Sequence, residues 1–255
     1  MSPSPLDAFD LRERVAVVTG GSRGIGRAVA VGFAAMGAHV VVASRKAEAC
    51  EDTVDAIRAA GGSALAVPTH VGRLDELGRL VERTVEAFGG VDIVINNAAN
   101  PLAQPLGAIT PEAFAKSYEA NVRGPLFLVQ EALPYLRTSA RASVINVITA
   151  GVFTHGTGVS LYVSAKSALL SLTRAMAAEF AADGIRVNAV APGAVATQMT
   201  LNLPPERQES VARAQLMPRL ADPDELVPGM LFLASDASSF MTGQVLVLDG
   251  GLTVP

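Results

Sequence analysis

The sequence contains no tryptophan, one cysteine and few charges: only 17% of its 255 residues are Asp, Glu, Lys or Arg, against about 25% in an average globular chain. Half of its residues are apolar, which excludes an intrinsically disordered chain. Its 20 basic and 24 acidic side chains nearly cancel to a net charge of −4, and no Lys/Arg run interrupts the sequence. Nucleic acid and anionic membrane are therefore excluded as main partners, and a small molecule is the expected ligand. Cys50 alone cannot form an internal disulfide, and Met1 to Arg14 carries acids and prolines where an export signal needs an apolar run. A cytoplasmic location is expected. No apolar stretch reaches the roughly 18 uninterrupted residues of a membrane span. No His/Cys/Asp/Glu grouping has the spacing of a metal site, so no metal is expected.

What is present is a rhythm. Seven short β-branched runs (Val15 to Thr19, His39 to Ala43, Ala64 to Pro68, Asp92 to Ile95, Ser143 to Ile148, Arg186 to Ala191 and Val245 to Leu248) read as strands. Between them, apolar residues at three and four spacing predict helices over Ile25 to Met36, Glu48 to Ala60, Leu74 to Phe88, Ala113 to Leu136 and Leu161 to Ala182. Nearly continuous apolar strands alternating with helices predict an α/β fold: a doubly wound, Rossmann-type, seven-stranded parallel sheet with helices on both faces, the whole chain 1–255 forming one domain. In such a sheet the ligand crevice lies at the carboxyl ends of the strands. Ala194 to Pro223, rich in Pro, Met, Leu and Gln, breaks the rhythm and reads as a lid over that crevice.

The first predicted strand runs into Thr19-Gly20-Gly21-Ser22-Arg23-Gly24-Ile25-Gly26, and a helix pattern follows. Glycines permit a tight turn and close approach of backbone to ligand, and a helix amino terminus offers free N–H groups to an anion. A dinucleotide pyrophosphate on Gly20, Ser22, Arg23, Gly24 and Ile25 is the expected occupant, although the spacing G-x-x-x-G-x-G departs from the common G-x-G-x-x-G fingerprint. The second strand ends in Ala43-Ser44-Arg45-Lys46, with no carboxylate before Glu48 to hold a ribose 2′-hydroxyl. Arg45, with Ser44, Lys46 and Arg23 nearby, can instead pair with a 2′-phosphate, so NADP(H) is preferred over NAD(H).

Tyr162-Val163-Ser164-Ala165-Lys166 puts a phenol and an ammonium one helical turn apart on one face. An ammonium about 4 Å away contributes roughly 4 kcal/mol at an effective dielectric of 20, which corresponds to about three pKa units. The phenol is thus expected to be acidified enough to exchange a proton with a substrate hydroxyl or carbonyl.

With T-G-x-x-x-G-x-G, N-N-A, Y-x-x-x-K and P-G in this order, from the glycine loop to Leu248-Asp249-Gly250-Gly251, the chain resembles the short-chain dehydrogenase/reductase family, its 3-oxoacyl-carrier-protein-reductase-like branch included. The resemblance implies an NADP-dependent enzyme acting on CH-OH/C=O, with Tyr162 as acid/base, Lys166 tuning it and binding the nicotinamide ribose, and Asn121 positioning a water in the proton relay. Thr149 stands where the family has its catalytic serine and keeps the hydroxyl, with a methyl that restricts rotation. Asn97 and Ala98, in Asn96-Asn97-Ala98-Ala99, would border adenosine, with Ala99 in place of the family's glycine. His70-Val71 replaces the family's Asp-Val at the adenine. Pro192-Gly193-Ala194-Val195-Ala196-Thr197 resembles the segment that holds the nicotinamide carboxamide, through Val195 and Thr197.

Phe153, Val159, Met199, Leu201, Leu203, Leu216 and Met217 are candidate substrate walls, and His155 is either a pocket contact or a loop histidine facing water. A 3-oxoacyl-carrier-protein reductase is the alternative within the family, for which Arg137, Arg141 and Arg174 could form a docking patch, opposed by Glu179 and Asp183. A non-catalytic nucleotide-binding sensor or scaffold is the alternative of another class, supported by Thr149 and Ala99 alone. The resemblance also implies a homo-oligomer, a tetramer, paired through the two long helices.

Overall fold

The computed structural model describes residues 5–254. Strands β1 (Val15–Thr19), β2 (His39–Ser44), β3 (Ser63–Pro68), β4 (Ile93–Asn96), β5 (Ser143–Val147), β6 (Arg186–Pro192) and β7 (Val245–Leu248) form a parallel sheet in the order β3-β2-β1-β4-β5-β6-β7. Its strand order reverses between β1 and β4, and at such a switch point the loops leaving neighbouring strands diverge to open a crevice. The helices are α1 (Gly24–Ala35), α2 (Ala47–Ala59), α3 (Leu74–Phe88), α4 (Pro111–Tyr118), α5 (Gly124–Leu136), α6 (Ser160–Phe180), α7 (Gln198–Leu201), α8 (Pro205–Arg213) and α9 (Val227–Ala234).

Strand alternation divides the core in two. Ala16, Val18, Val40, Val42, Ile93 and Ile95 face α1, α2 and α9, burying Phe33, Ile57 and Met230. Val17, Val41, Val94 and Val144 face α3, α5 and α6, burying Leu80, Leu128 and Met176. Because helices cover both faces, the central strands can be apolar at every position, as β1 is: all five of its residues are buried. The low charge content follows from this layering.

Three local readings change. The long helix predicted over Ala113 to Leu136 is two helices, α4 and α5, joined by a π turn at Glu119–Arg123. Helix α9 has no counterpart in the sequence reading. It is apolar on all sides because it packs beneath β5 and β6 and against α1, so it lacks an amphipathic period. The segment 194–223 contains α7 and α8 and closes on itself through a parallel bridge between Val195 and Ala221. Among the described residues no helix is long and apolar enough to cross a membrane.

Candidate active site

The glycine loop and the loop after β4 are tied together at the switch point. Thr19 Oγ1 donates to the Ile95 carbonyl (3.0 Å) and accepts from the N–H groups of Asn97 (3.0 Å) and Ala98 (3.1 Å). The Asn97 amide donates to the carbonyls of Thr19 (2.9 Å) and Gly20 (3.3 Å). Gly20 has φ +66°, and a Cβ there would lie 2.7 Å from Asn97 Nδ2. Gly26 is constrained differently, since a Cβ would strike the Gly20 carbonyl and the same amide. The turn therefore requires glycine at both positions, and the backbone at the start of α1 stays open to a ligand.

A cleft of about 540 Å³ runs over the carboxyl ends of the strands. Of the predicted cofactor residues, it is lined by Gly20, Ser22, Arg23, Gly24 and Ile25 from the glycine loop, by Ser44 and Arg45 at the end of β2, and by His70 and Val71 after β3. Asn97 and Ala98 line it after β4, Pro192 at the end of β6, and Gly193, Val195 and Thr197 beyond that strand. Thr149, Tyr162 and Lys166 line it too. Lys46 and Asn121 do not. Lys46 sits exposed at the start of α2, beyond the turn that brings Arg45 to the cleft. Arg23 and Arg45 are exposed and ion-paired to nothing among the described residues. Ser22 and Ser44 join their hydroxyls between them (2.9 Å).

Helix α6 carries Tyr162 and Lys166. Tyr162 is half-buried, and its hydroxyl makes no hydrogen bond to the described residues. Lys166 is almost completely buried, and Nζ donates to the Val147 carbonyl at the end of β5 (2.7 Å). Its Nζ lies 5.9 Å from the Tyr162 ring centroid. Against the expected acidification of the phenol, burial pushes Tyr162 up to about 12 and Lys166 down to about 7. Desolvation disfavours the charged form of each.

Thr149 caps a short helical turn, where its Oγ1 accepts from Gly151 N–H (3.2 Å). The hydroxyl's own proton is thereby left to donate into the cleft. Asn121 lies in the π turn, fully buried. Its Oδ1 accepts from Asn100 N–H (3.1 Å), while Nδ2 donates to the carbonyls of Asn100 and Ser117 (both 2.9 Å). The side chain is thus occupied in holding the loop after β4.

Sequence reasoning missed several lining residues, among them Thr69, Asn100, Gln198, Thr200 and Asn202. Only the strand-end rule could have pointed to Thr69, and only the lid assignment to the last three. Of the seven apolar wall candidates, Met199 alone lines the cleft; Leu201, Leu216 and Met217 lie more than half exposed outside it. His155 is exposed. Arg137 and Arg141 cannot form a docking patch at this mouth. They sit between α5 and the start of β5, at the opposite end of the sheet, where Arg137 pairs with Asp183 (2.9 Å) and Arg141 with Asp236 (3.7 Å).

Residues 20–253 match the family model described as enoyl-(acyl carrier protein) reductase. The chain is 39% identical to cis-4-hydroxycyclohexanecarboxylate dehydrogenase of Sinomonas cyclohexanicum, over 94% of this chain and 97% of that protein. A short-chain type dehydrogenase/reductase from Mycobacterium marinum superposes with a TM-score of 0.94 at 34% identity, covering 99% of this chain and all of that one. A 3-oxoacyl (acyl-carrier-protein) reductase from Agrobacterium tumefaciens C58, solved with NADP bound, superposes with a TM-score of 0.90 at 34% identity, covering 96% of each chain. From the glycine loop through the paired Tyr162 and Lys166 to the last strand, the chain belongs to the short-chain dehydrogenase/reductase family of oxidoreductases.

Proposed function

We propose that this protein is an NADP(H)-dependent oxidoreductase that interconverts a carbonyl and a secondary alcohol. One observation carries the reading: a single cleft is lined by a glycine loop at a helix start and two guanidinium groups with no ion partner among the described residues, and also by Thr149, Tyr162 and Lys166. The residues fit a nicotinamide dinucleotide phosphate. Glycine at positions 20 and 26 lets the turn pack closely, and the start of α1 that lines the cleft can offer its N–H groups to a pyrophosphate. Arg23 and Arg45 would hold the 2′-phosphate, and Val195 and Thr197 the carboxamide. When bound, the dinucleotide supplies or accepts the hydride.

The chain's own residues handle the oxygen and the proton. In the reductive direction Tyr162, held protonated by burial, gives its proton to the carbonyl oxygen, and Thr149 donates a hydrogen bond to the same oxygen. Burial lowers the pKa of Lys166, so an acceptor oxygen reaching Nζ favours the ammonium, which in turn eases ionisation of Tyr162. Asn121 fixes the π turn whose backbone borders the proton path. Residues 194–223 act as the lid. We read the molecule further as a cytoplasmic homotetramer with no nucleic-acid or membrane partner.

The cofactor assignment is tested by titrating the protein with NADPH and NADH, following nicotinamide fluorescence. NADPH should bind at least about tenfold tighter, and Arg45→Ala should remove most of that difference. Equal affinities for the two in the unaltered protein contradict the assignment.

A further inference from the structure

The cleft carries a histidine that the mechanism does not use. His70 follows β3, two strands away from β1 and on the opposite side of it from β5 and β6, whose ends bring Thr149 and Pro192 to the cleft. A dinucleotide whose pyrophosphate rests on the glycine loop after β1 and whose nicotinamide faces Tyr162 extends its other nucleoside toward β2 and β3. Arg45 after β2 lines the cleft where a ribose phosphate would lie, and His70 and Val71 line it beyond.

The polarity of the His70 ring is fixed by its neighbours. Nδ1 accepts the Gly72 N–H at 3.1 Å. The same turn is held from below: Glu76, on α3, accepts the His70 backbone N–H (2.6 Å) and pairs with Arg73 (2.9 Å), and Arg123, from the π turn, donates to the Gly72 carbonyl (2.7 Å). With Nδ1 engaged as an acceptor, the neutral imidazole carries its proton on Nε2. Nε2 makes no hydrogen bond to the described residues.

We propose that His70 contacts the base of the bound dinucleotide as a hydrogen-bond donor and thereby relaxes selection for the 6-amino group. The inference rests on the cofactor reading above. Adenine presents an amino group at C6 and an acceptor at N1, and hypoxanthine presents an acceptor carbonyl at C6. A donor at His70 finds N1 on the first base and O6 on the second, so the site does not depend on the 6-amino group. A carboxylate at this position would do the reverse, accepting from the amino group and repelling the carbonyl.

The test is a fluorescence titration with NADPH and with its hypoxanthine analogue, in which a carbonyl replaces the 6-amino group. Both report through the nicotinamide, so binding is read directly and without turnover. The unaltered protein should bind the two within about threefold of each other. His70→Asp should favour the adenine form by about tenfold, and His70→Phe, which keeps a flat ring but no donor, should weaken both forms several-fold and equally. If the unaltered protein binds only the adenine form tightly, or if His70→Phe leaves both affinities unchanged, the inference is overturned while the cofactor reading stands. If neither dinucleotide binds, the cofactor reading falls and this inference with it.

Discussion

Tyr162 and Lys166 are one helical turn apart in a corner where burial acts on both, and it moves their ionisations in opposite directions. The consequence for Lys166 is a stability that depends on pH. Its folded pKa of about 7 lies below the ordinary 10.5, so between those values the unfolded chain holds a proton that the folded chain has released. Stability therefore rises with pH across that window, by up to about 1.4 kcal/mol per pH unit from this site. The opposite contribution from Tyr162 falls between its ordinary 10 and about 12, overlapping only the top of that window. Urea unfolding of the unaltered protein and of Lys166→Met, followed from pH 7 to about pH 9, should show the former gaining on the latter. A difference that stays constant would contradict the shift. The pairing of these two residues was legible from their spacing of four. The direction of their ionisation was not, because spacing reports proximity while desolvation and the Val147 contact depend on β5, nineteen residues back in the chain. Asn97 shows the same limit: it was read as a border for adenosine, and it also ties the glycine turn to β4.

At the scale of elements, the π turn connects the loop after β4 to the turn after β3. Asn121 clamps the backbone of Asn100 from one side of it, and Arg123 holds the Gly72 carbonyl from the other. Asn121→Ala removes the clamp and leaves buried backbone groups without partners. The variant should lose about 2 kcal/mol of stability, read by urea unfolding. Turnover should fall more than NADPH affinity, because the glycine loop keeps its own ties through Thr19. An unchanged unfolding midpoint would contradict the clamp. The turn could not be seen in the sequence, since one extra residue between α4 and α5 barely disturbs an apolar pattern that already tolerates spacings of three and four. Helix α8 escaped for the opposite reason to α9: it is polar on every side and none of its residues is buried, so it has no stripe to reveal it. The strands, by contrast, were read almost to their ends, because β-branched runs bounded by glycine and charge have few other uses.

For the molecule as a whole, the shortage of charge is explained first by two helix-covered faces. It also bears on the edges. Strand β7 ends the sheet, Val247 on it is partly exposed, and Phe240 just before it is wholly exposed. An open edge with apolar residues is a liability that a second copy can cover. Together with the pairing through long helices that the family resemblance implies, this edge makes a homo-oligomer the expected result of light scattering at micromolar concentration, and a monomer would contradict that reading. The fold and the position of the cleft were legible in the alternation of elements; the substrate was not, because only Met199 of the proposed apolar walls lines the cleft. The central claim, proton transfer by Tyr162 coupled to hydride transfer from NADPH, is tested most directly by NADPH absorbance across a panel of ketones, aldehydes and oxidised sugars, comparing the unaltered protein with Tyr162→Phe. The account predicts NADPH consumption with at least one carbonyl class, and loss of nearly all of it in Tyr162→Phe with NADPH affinity retained. Equal turnover by the two proteins would contradict it.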